Sequence, residues 1–292
     1  MTGAALLLVS LSTFLHAGWN LMARYNRTEA QFFRRMLLTV TAVGLIPAVI
    51  SEAAIRSIPV PAWGYLAASG LFCGLYYFCL ARAYASSDFT VVYPVARALP
   101  VLLVGLADVA LGRAPSPVGW VGMLLVVIGC LLAPLQSFRE VSARRYLNPA
   151  SGWMLLTALS TVGYTLLDKA ASSMIVPGPA SAARYGYFFF LVSFLALLAF
   201  DRLWPTPSPS SSGSPGWRLP TLGGLFNFGA YWLILWAYQL SRQASYIVAF
   251  RQLSIVIGVI IAFWLYHEPG RAVRITAALL IAGGLITISL WG

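Results

Sequence analysis

The chain alternates long apolar stretches with short polar ones. The apolar stretches run over residues 4–22, 31–50, 62–84, 89–112, 117–135, 151–174, 181–200, 218–240, 244–266 and 272–291. A span of roughly 18 or more such residues crosses the ~30 Å hydrocarbon core of a bilayer as a helix. Lipid offers the backbone no hydrogen-bond partners, so these spans are expected to be helices. The pattern therefore predicts an all-α membrane protein with ten transmembrane helices, five in each half, within a single domain spanning 1–292. Residues 1–135 form the first five-helix unit, 136–150 a polar, basic connection, and 151–292 the second unit. The Pro/Ser/Gly-rich stretch 204–216 reads as a linker between the seventh and eighth helices.

The halves repeat one another. Shifted forward by 154, residues 61–132 align without a gap on residues 215–286, and sixteen of the 72 pairs are identical. Pro61, Trp63, Gly70, Tyr77, Tyr84, Arg97, Pro115 and Gly129 meet Pro215, Trp217, Gly224, Tyr231, Tyr238, Arg251, Pro269 and Gly283. A unit with an odd number of spans re-enters the membrane upside down, so the expected arrangement is two inverted five-helix repeats. Such repeats place a substrate site near the bilayer midplane, where the halves meet. Gly70 and Gly74 give the third helix a small-xxx-small packing face. Pro94 and Pro100 are expected to interrupt the fourth helix; Val248 and Ser254 stand at the matching positions of the ninth.

Composition narrows the function. The chain is 60% hydrophobic and 9% charged, against roughly 25% charged residues in soluble domains. The net charge of +11 sits singly in short loops, which suits anionic lipid headgroups and excludes a nucleic-acid partner. Counting loop charges (Arg56, Arg113, Lys169, Arg184 and Arg242 on the side of the termini, against Arg24, Arg27, Arg139, Arg144, Arg145, Arg202, Arg218, Arg271 and Arg274 on the other) weakly favours termini outside. Cys73, Cys79 and Cys130 fall in spans without ligand spacing, and His267-Glu268 lacks a third ligand, so no metal or cofactor is expected. Catalytic motifs are absent, and the chain does not read as an enzyme.

The candidate chemistry lies inside the spans. Ionisable groups at membrane depth cost on the order of 2.5–3.5 kcal/mol and mark functional positions by default. Arg97 and Arg251 are either receivers of a substrate carboxylate, or caps on the carbonyls of broken helices or partners of a buried acid. His16, Trp19 and Asn20 share one stripe of the first helix. A shift of 148 pairs His16 with Tyr164 and Asn20 with Asp168; Asp168 itself is expected to form a local ion pair with Lys169. Tyr77 and Tyr84, repeated as Tyr231 and Tyr238, join Tyr93 as either walls of an aromatic cavity or ordinary packing. Asp108, Arg82 and Asp88, near span ends, are expected at the interface.

These features resemble the EamA-type carriers of the drug/metabolite transporter superfamily. Trp19-Asn20 matches the start of that family's repeat. Leu111-Gly112-Arg113-Ala114-Pro115 through Gly129, and Leu265-Tyr266-His267-Glu268-Pro269 through Gly283, resemble its closing loop and last helix. The loop acid is present only in the second copy, as Glu268. Within the superfamily the chain is most similar to the YddG-type amino-acid exporters. That resemblance implies a multi-pass protein of the bacterial inner membrane that exports aromatic and other neutral amino acids by alternating access. The partners expected are a small-molecule substrate and the lipid bilayer, with the carrier acting as a monomer. Efflux of lipophilic cations by the same fold is the alternative.

Overall fold

The computed structural model describes residues 2–25, 29–86, 89–140, 142, 151–205, 216–257, 260 and 270–292, without the side chains at 21, 23–25, 29–30 and 89–95. Among the described residues it is all-helical. In chain order the helices are α1 (Gly3–Tyr25), α2 (Glu29–Ile55), α3 (Val60–Ser86), α4 (Phe89–Ala110) and α5 (Pro117–Leu132). The second half holds α6 (Ser151–Ser172), α7 (Pro179–Leu203), α8 (Arg218–Leu240), α9 (Ala244–Phe250) and α10 (Arg271–Trp291). Each falls on one expected span. By length and composition, α2, α3, α7 and α10 are able to cross a membrane. Large apolar side chains such as Leu7, Ile46, Leu71, Leu195, Leu279 and Ile286 stand exposed on the outer faces. An apolar surface of this extent needs lipid, not water, against it.

The helices pack mostly across the halves. α5 packs on α10, α1 on α8, and α3 on both α6 and α7, while α2 contacts α7 and α8. Exchanging α1 with α6, α2 with α7, α3 with α8 and α5 with α10 leaves this set of contacts unchanged. Glycines explain why these pairs approach so closely. A Cβ on Gly70 of α3 would stand 2.6 Å from Val192 Cβ, and one on Gly74 would stand 2.8 Å from Ser193 O, both on α7. Gly224, the repeat partner of Gly70, meets Met36 O of α2 at 2.7 Å in the same sense. Gly122 of α5 and Gly284 of α10 likewise press backbone against backbone. Without a hydrophobic drive between helices in lipid, such close van der Waals contact is what holds them together.

Buried polar groups tie the ends. Glu52 accepts from Ser57 Oγ at 2.6 Å and from the Ile58 amide at 2.8 Å, and it pairs with Arg184 Nε at 3.2 Å. Arg184 is thus a buried member of α7 rather than a loop charge, and Arg274 is buried within α10. Both leave the loop-charge count, one from each side, so its asymmetry is unchanged. Asp108, in the last turn of α4, is buried against the protein: it is 0% exposed, pairs with Arg113 at 3.2 Å and accepts from the Ser245 amide at 2.8 Å. Arg82, half-buried near the end of α3, lies over the rings of Phe78 and Trp153 and donates to Trp204 O. Asp88, the linker residues 206–215 and His267-Glu268 lie outside the described residues.

Replacing Gly74 by leucine drives a side chain into the backbone of α7, where overpacking typically costs about 1–3 kcal/mol. Thermal unfolding of the detergent-solubilised protein is expected to show a lowered melting temperature for Gly74→Leu. Gly64→Leu, at a position where a Cβ meets nothing within 4 Å, is expected to leave it unchanged.

Candidate functional site

The expected break in α4 is absent: the helix runs continuously from Phe89 to Ala110 through both prolines. The break lies in the ninth span instead. α9 stops at Phe250, two turn residues follow, and helix resumes over 253–257. Around the break the bonds tighten to the i→i−3 pattern, with the Gln252 amide on Ala249 O at 3.0 Å and the Ile255 amide on Gln252 O at 2.9 Å. No proline causes this. Arg97, reaching across from α4, does so by binding what the break releases. Its Nη2 donates to Arg251 O at 3.0 Å and to Ser254 Oγ at 2.9 Å, and its Nε donates to Gln252 Oε1 at 3.0 Å. Its Nη1 meets His16 Nε2. Arg97 is therefore the carbonyl cap of a broken helix.

On α1, Trp19 Nε1 donates to His16 Nδ1 at 3.0 Å, with the rings edge to face at 5.0 Å. Trp19 and Arg97 are both donors and a neutral imidazole has a single acceptor nitrogen, so His16 lies between them and accepts from one at a time. Asn20 turns back and donates to His16 O of its own helix at 2.7 Å.

Two small chambers lie behind this junction. One is lined by Tyr76, Tyr84, Arg97, Thr161, Tyr164, Arg251 and Gln252, with Leu80, Ala96, Pro100 and Val248. The other is lined by His16, Trp19, Tyr76, Tyr77, Tyr164, Asn227, Tyr231 and Arg251, with Cys73, Phe189 and Phe190. Tyr76, Tyr164 and Arg251 border both. Each chamber has a cavity volume of about 20 Å³, enough for roughly one water. The Arg251 guanidinium lies 5.7 Å from the centre of the Tyr231 ring, a cation–π contact, and Tyr164 and Tyr238 complete its surroundings.

Behind Tyr231 sits a buried acid. Asp168, 1% exposed, accepts from Tyr185 OH at 2.8 Å and from Tyr231 OH. The expected ion pair with Lys169 does not form. Lys169 Nζ turns away to Tyr238 O and Ser241 O, at 2.7 Å each, where a cation complements the negative end of α8.

Of the sequence candidates, His16, Trp19, Tyr77, Tyr84, Arg97, Tyr164, Tyr231 and Arg251 border the chambers. Asn20 and Tyr238 border neither, and Tyr238 is 0% exposed in the core. The Tyr93 side chain lies outside the described residues. Sequence reading missed Tyr76, which shares the chamber face with Leu80 and Tyr84 at i, i+4 and i+8. It also missed Gln252 and Asn227, polar residues in span interiors; Asn227 Nδ2 donates to Tyr77 OH at 2.9 Å.

The structure also corrects how the first helices of the halves correspond. Phe226 of α8 covers Gly18 of α1, and its repeat partner Phe72 of α3 covers Gly163 of α6, each 2.7 Å from a Cβ built there. Gly18 therefore corresponds to Gly163, a shift of 145 (163 − 18) in place of 148. On this register Trp19 pairs with Tyr164, Leu21 with Leu166 and Arg24 with Lys169. His16 then meets Thr161, and Asn20 has no counterpart in Asp168. Sixteen identities had set the 154 shift, but no gapless block reached these helices, so one helical turn of error went undetected.

Residues 3–134 match the family model described as the EamA-like transporter family. A solved structure described only as "Crystal structure of protein" is similar over 99% of this chain and 98% of its own, with a TM-score of 0.72 and 15% sequence identity. That likeness shows a shared fold. No curated protein matches the chain.

The roles of the two arginines separate by stability. Arg97→Ala leaves Arg251 O, Gln252 and Ser254 without their shared donor, at about 1.5–3 kcal/mol for a bond to a charged group. It is expected to lower the melting temperature in detergent by several degrees, whereas Arg251→Gln stays close to the parent.

Proposed function

We propose that the whole chain is a membrane carrier of the EamA type. Its cargo is small zwitterionic metabolites, with aromatic and other neutral amino acids fitting best, exported across a bacterial inner membrane by alternating access between the halves. The observation that carries this reading is Arg251. Its guanidinium is buried at a helix break, borders both chambers and is packed on an aromatic ring rather than committed to an acid. A planar guanidinium in a low-dielectric pocket is the group best matched to a carboxylate. The rings of Tyr76, Tyr77, Tyr164, Phe189, Phe190 and Tyr231 around it offer apolar faces to a side chain. The EamA-like match over the first half and the shared fold over the full length support a carrier of this architecture.

Each chamber holds about one water, so cargo enters only when the walls part. Arg97 is spent on the break and is assigned to positioning Arg251, whose carbonyl it holds. Lipophilic-cation efflux has one observation in its favour, the buried carboxylate of Asp168. Arg251 beside it opposes a cationic cargo.

Liposomes holding the purified protein and loaded with a panel of unlabelled amino acids are expected to exchange labelled phenylalanine. Arg251→Ala is expected to reduce that exchange at least about tenfold, which corresponds to about 1.4 kcal/mol, with Arg251→Lys recovering part of it. Exchange that persists in Arg251→Ala removes the assigned role. Uptake of ethidium in place of any amino acid favours the cation reading.

A further inference from the structure

The carrier reading leaves one buried ionisable group without a task. Asp168 sits in the middle of the protein against α3, α7, α8 and α9, and among the described residues no cation stands within ion-pair distance of it. Two hydroxyls hold it, from Tyr185 of α7 and Tyr231 of α8. The other polar and titratable groups facing it are Ser69 and Cys73 on α3, Tyr238 on α8 and Arg251 on α9. On its own helix, Tyr164 lines the chambers and Lys169 is bound to the α8 carbonyls. On α4, Arg97 is engaged at the break and Asp108 is engaged by Arg113 and Ser245. The positive field that favours an ionised Asp168 thus comes from Arg251 alone among these groups. Tyr231 links the two physically: its hydroxyl binds the acid and its ring carries the guanidinium.

We propose that Asp168 is a proton-binding site linked to the cargo site, so that a carboxylate arriving on Arg251 brings a proton onto Asp168. This deepens the carrier reading and rests on it. A cargo carboxylate cancels the charge of Arg251, and the buried Asp168 then loses one of the interactions that favour its charged form, beside the hydroxyls that hold it. A proton from bulk water forms an O–H bond at one Asp168 oxygen, the group becomes a neutral carboxyl, and no electrons are exchanged. Linkage is reciprocal, so added protons tighten cargo binding by the same factor that cargo tightens proton binding.

The test is calorimetric binding of phenylalanine in buffers of different ionisation enthalpy, which counts protons taken up per cargo bound. The parent protein is expected to take up protons and to bind more tightly as pH falls. Asp168→Asn is expected to bind with no proton uptake and no pH dependence. Tyr185→Phe, which keeps the acid and removes one donor to its charged form, is expected to shift the pH midpoint of binding upward. Zero uptake or proton release in the parent, or an unmoved midpoint in Tyr185→Phe, overturns the proposal. If no amino acid gives any binding heat, the carrier reading itself fails. The infrared carboxyl band then decides the proton site on its own: a titrating band that Asp168→Asn lacks supports it, and its absence overturns it.

Discussion

A helix that breaks inside lipid releases backbone groups that only the protein can satisfy, and the site is organised around one such break. α9 is a short half-helix with its own positive and negative ends. Both ends are met from α4. Asp108 accepts the Ser245 amide in the first turn of α9, and Arg97 grips the Arg251 carbonyl at its last. Eleven residues separate the two on a continuous helix, a rise of about 16 Å, which is the span of the half-helix with side-chain reach at either end. An acid and a base at that spacing complement the dipole of an antiparallel neighbour. Arg251 is consequently held by its own backbone, and its side chain is left to face the chambers.

This arrangement shows what duplication does when its copies diverge. Arg97 and Arg251 occupy equivalent positions in the 154-residue repeat, yet one is an internal brace and the other borders both cavities. The difference follows from the helices that carry them: α4 is intact, and so Arg97 has only its side chain to offer, while α9 is broken at the arginine itself. Tyr77 and Tyr231 diverge in the same way. The first accepts from the amide of Asn227, and the second donates to Asp168. The scaffold keeps the symmetry, through Gly70 against α7 and Gly224 against α2, but the chemistry at its centre does not.

How much of this was readable from the chain divides along the same line. Span lengths, the repeat and the glycine faces are set by lipid thickness and close packing, which leave periodic traces, and the ten helices fall where the apolar pattern put them. The break did not announce itself. Proline is the usual local cause, and α4 has two prolines without breaking, because a lipid-embedded helix with packed neighbours tolerates them. α9 breaks with none, because the stabilising donor comes from 154 residues away. Asp168 and Lys169 are neighbours in sequence, but successive residues on a helix point about 100° apart. One faces the tyrosines and the other the end of α8, so adjacency misled. Asn20 looked available until its helix supplied it with His16 O.

The kinds of contact around the chambers decide which parts of the wall are able to give way. Where α3 meets α7, α2 meets α8 and α5 meets α10, glycine backbones lie against main-chain atoms, and a sliding motion there meets hard repulsion at once. The faces contributed by α4, α9 and α1 are of another kind. They are held by Arg97, His16, Gln252 and Ser254, through hydrogen bonds whose partners water is able to replace as a chamber wets. Enlarging a space now sized for one water needs polar contacts to be exchanged rather than packed surfaces to be sheared. The clamp on the half-helix is therefore the part of the wall built from exchangeable hydrogen bonds, and it reaches the carbonyl of Arg251.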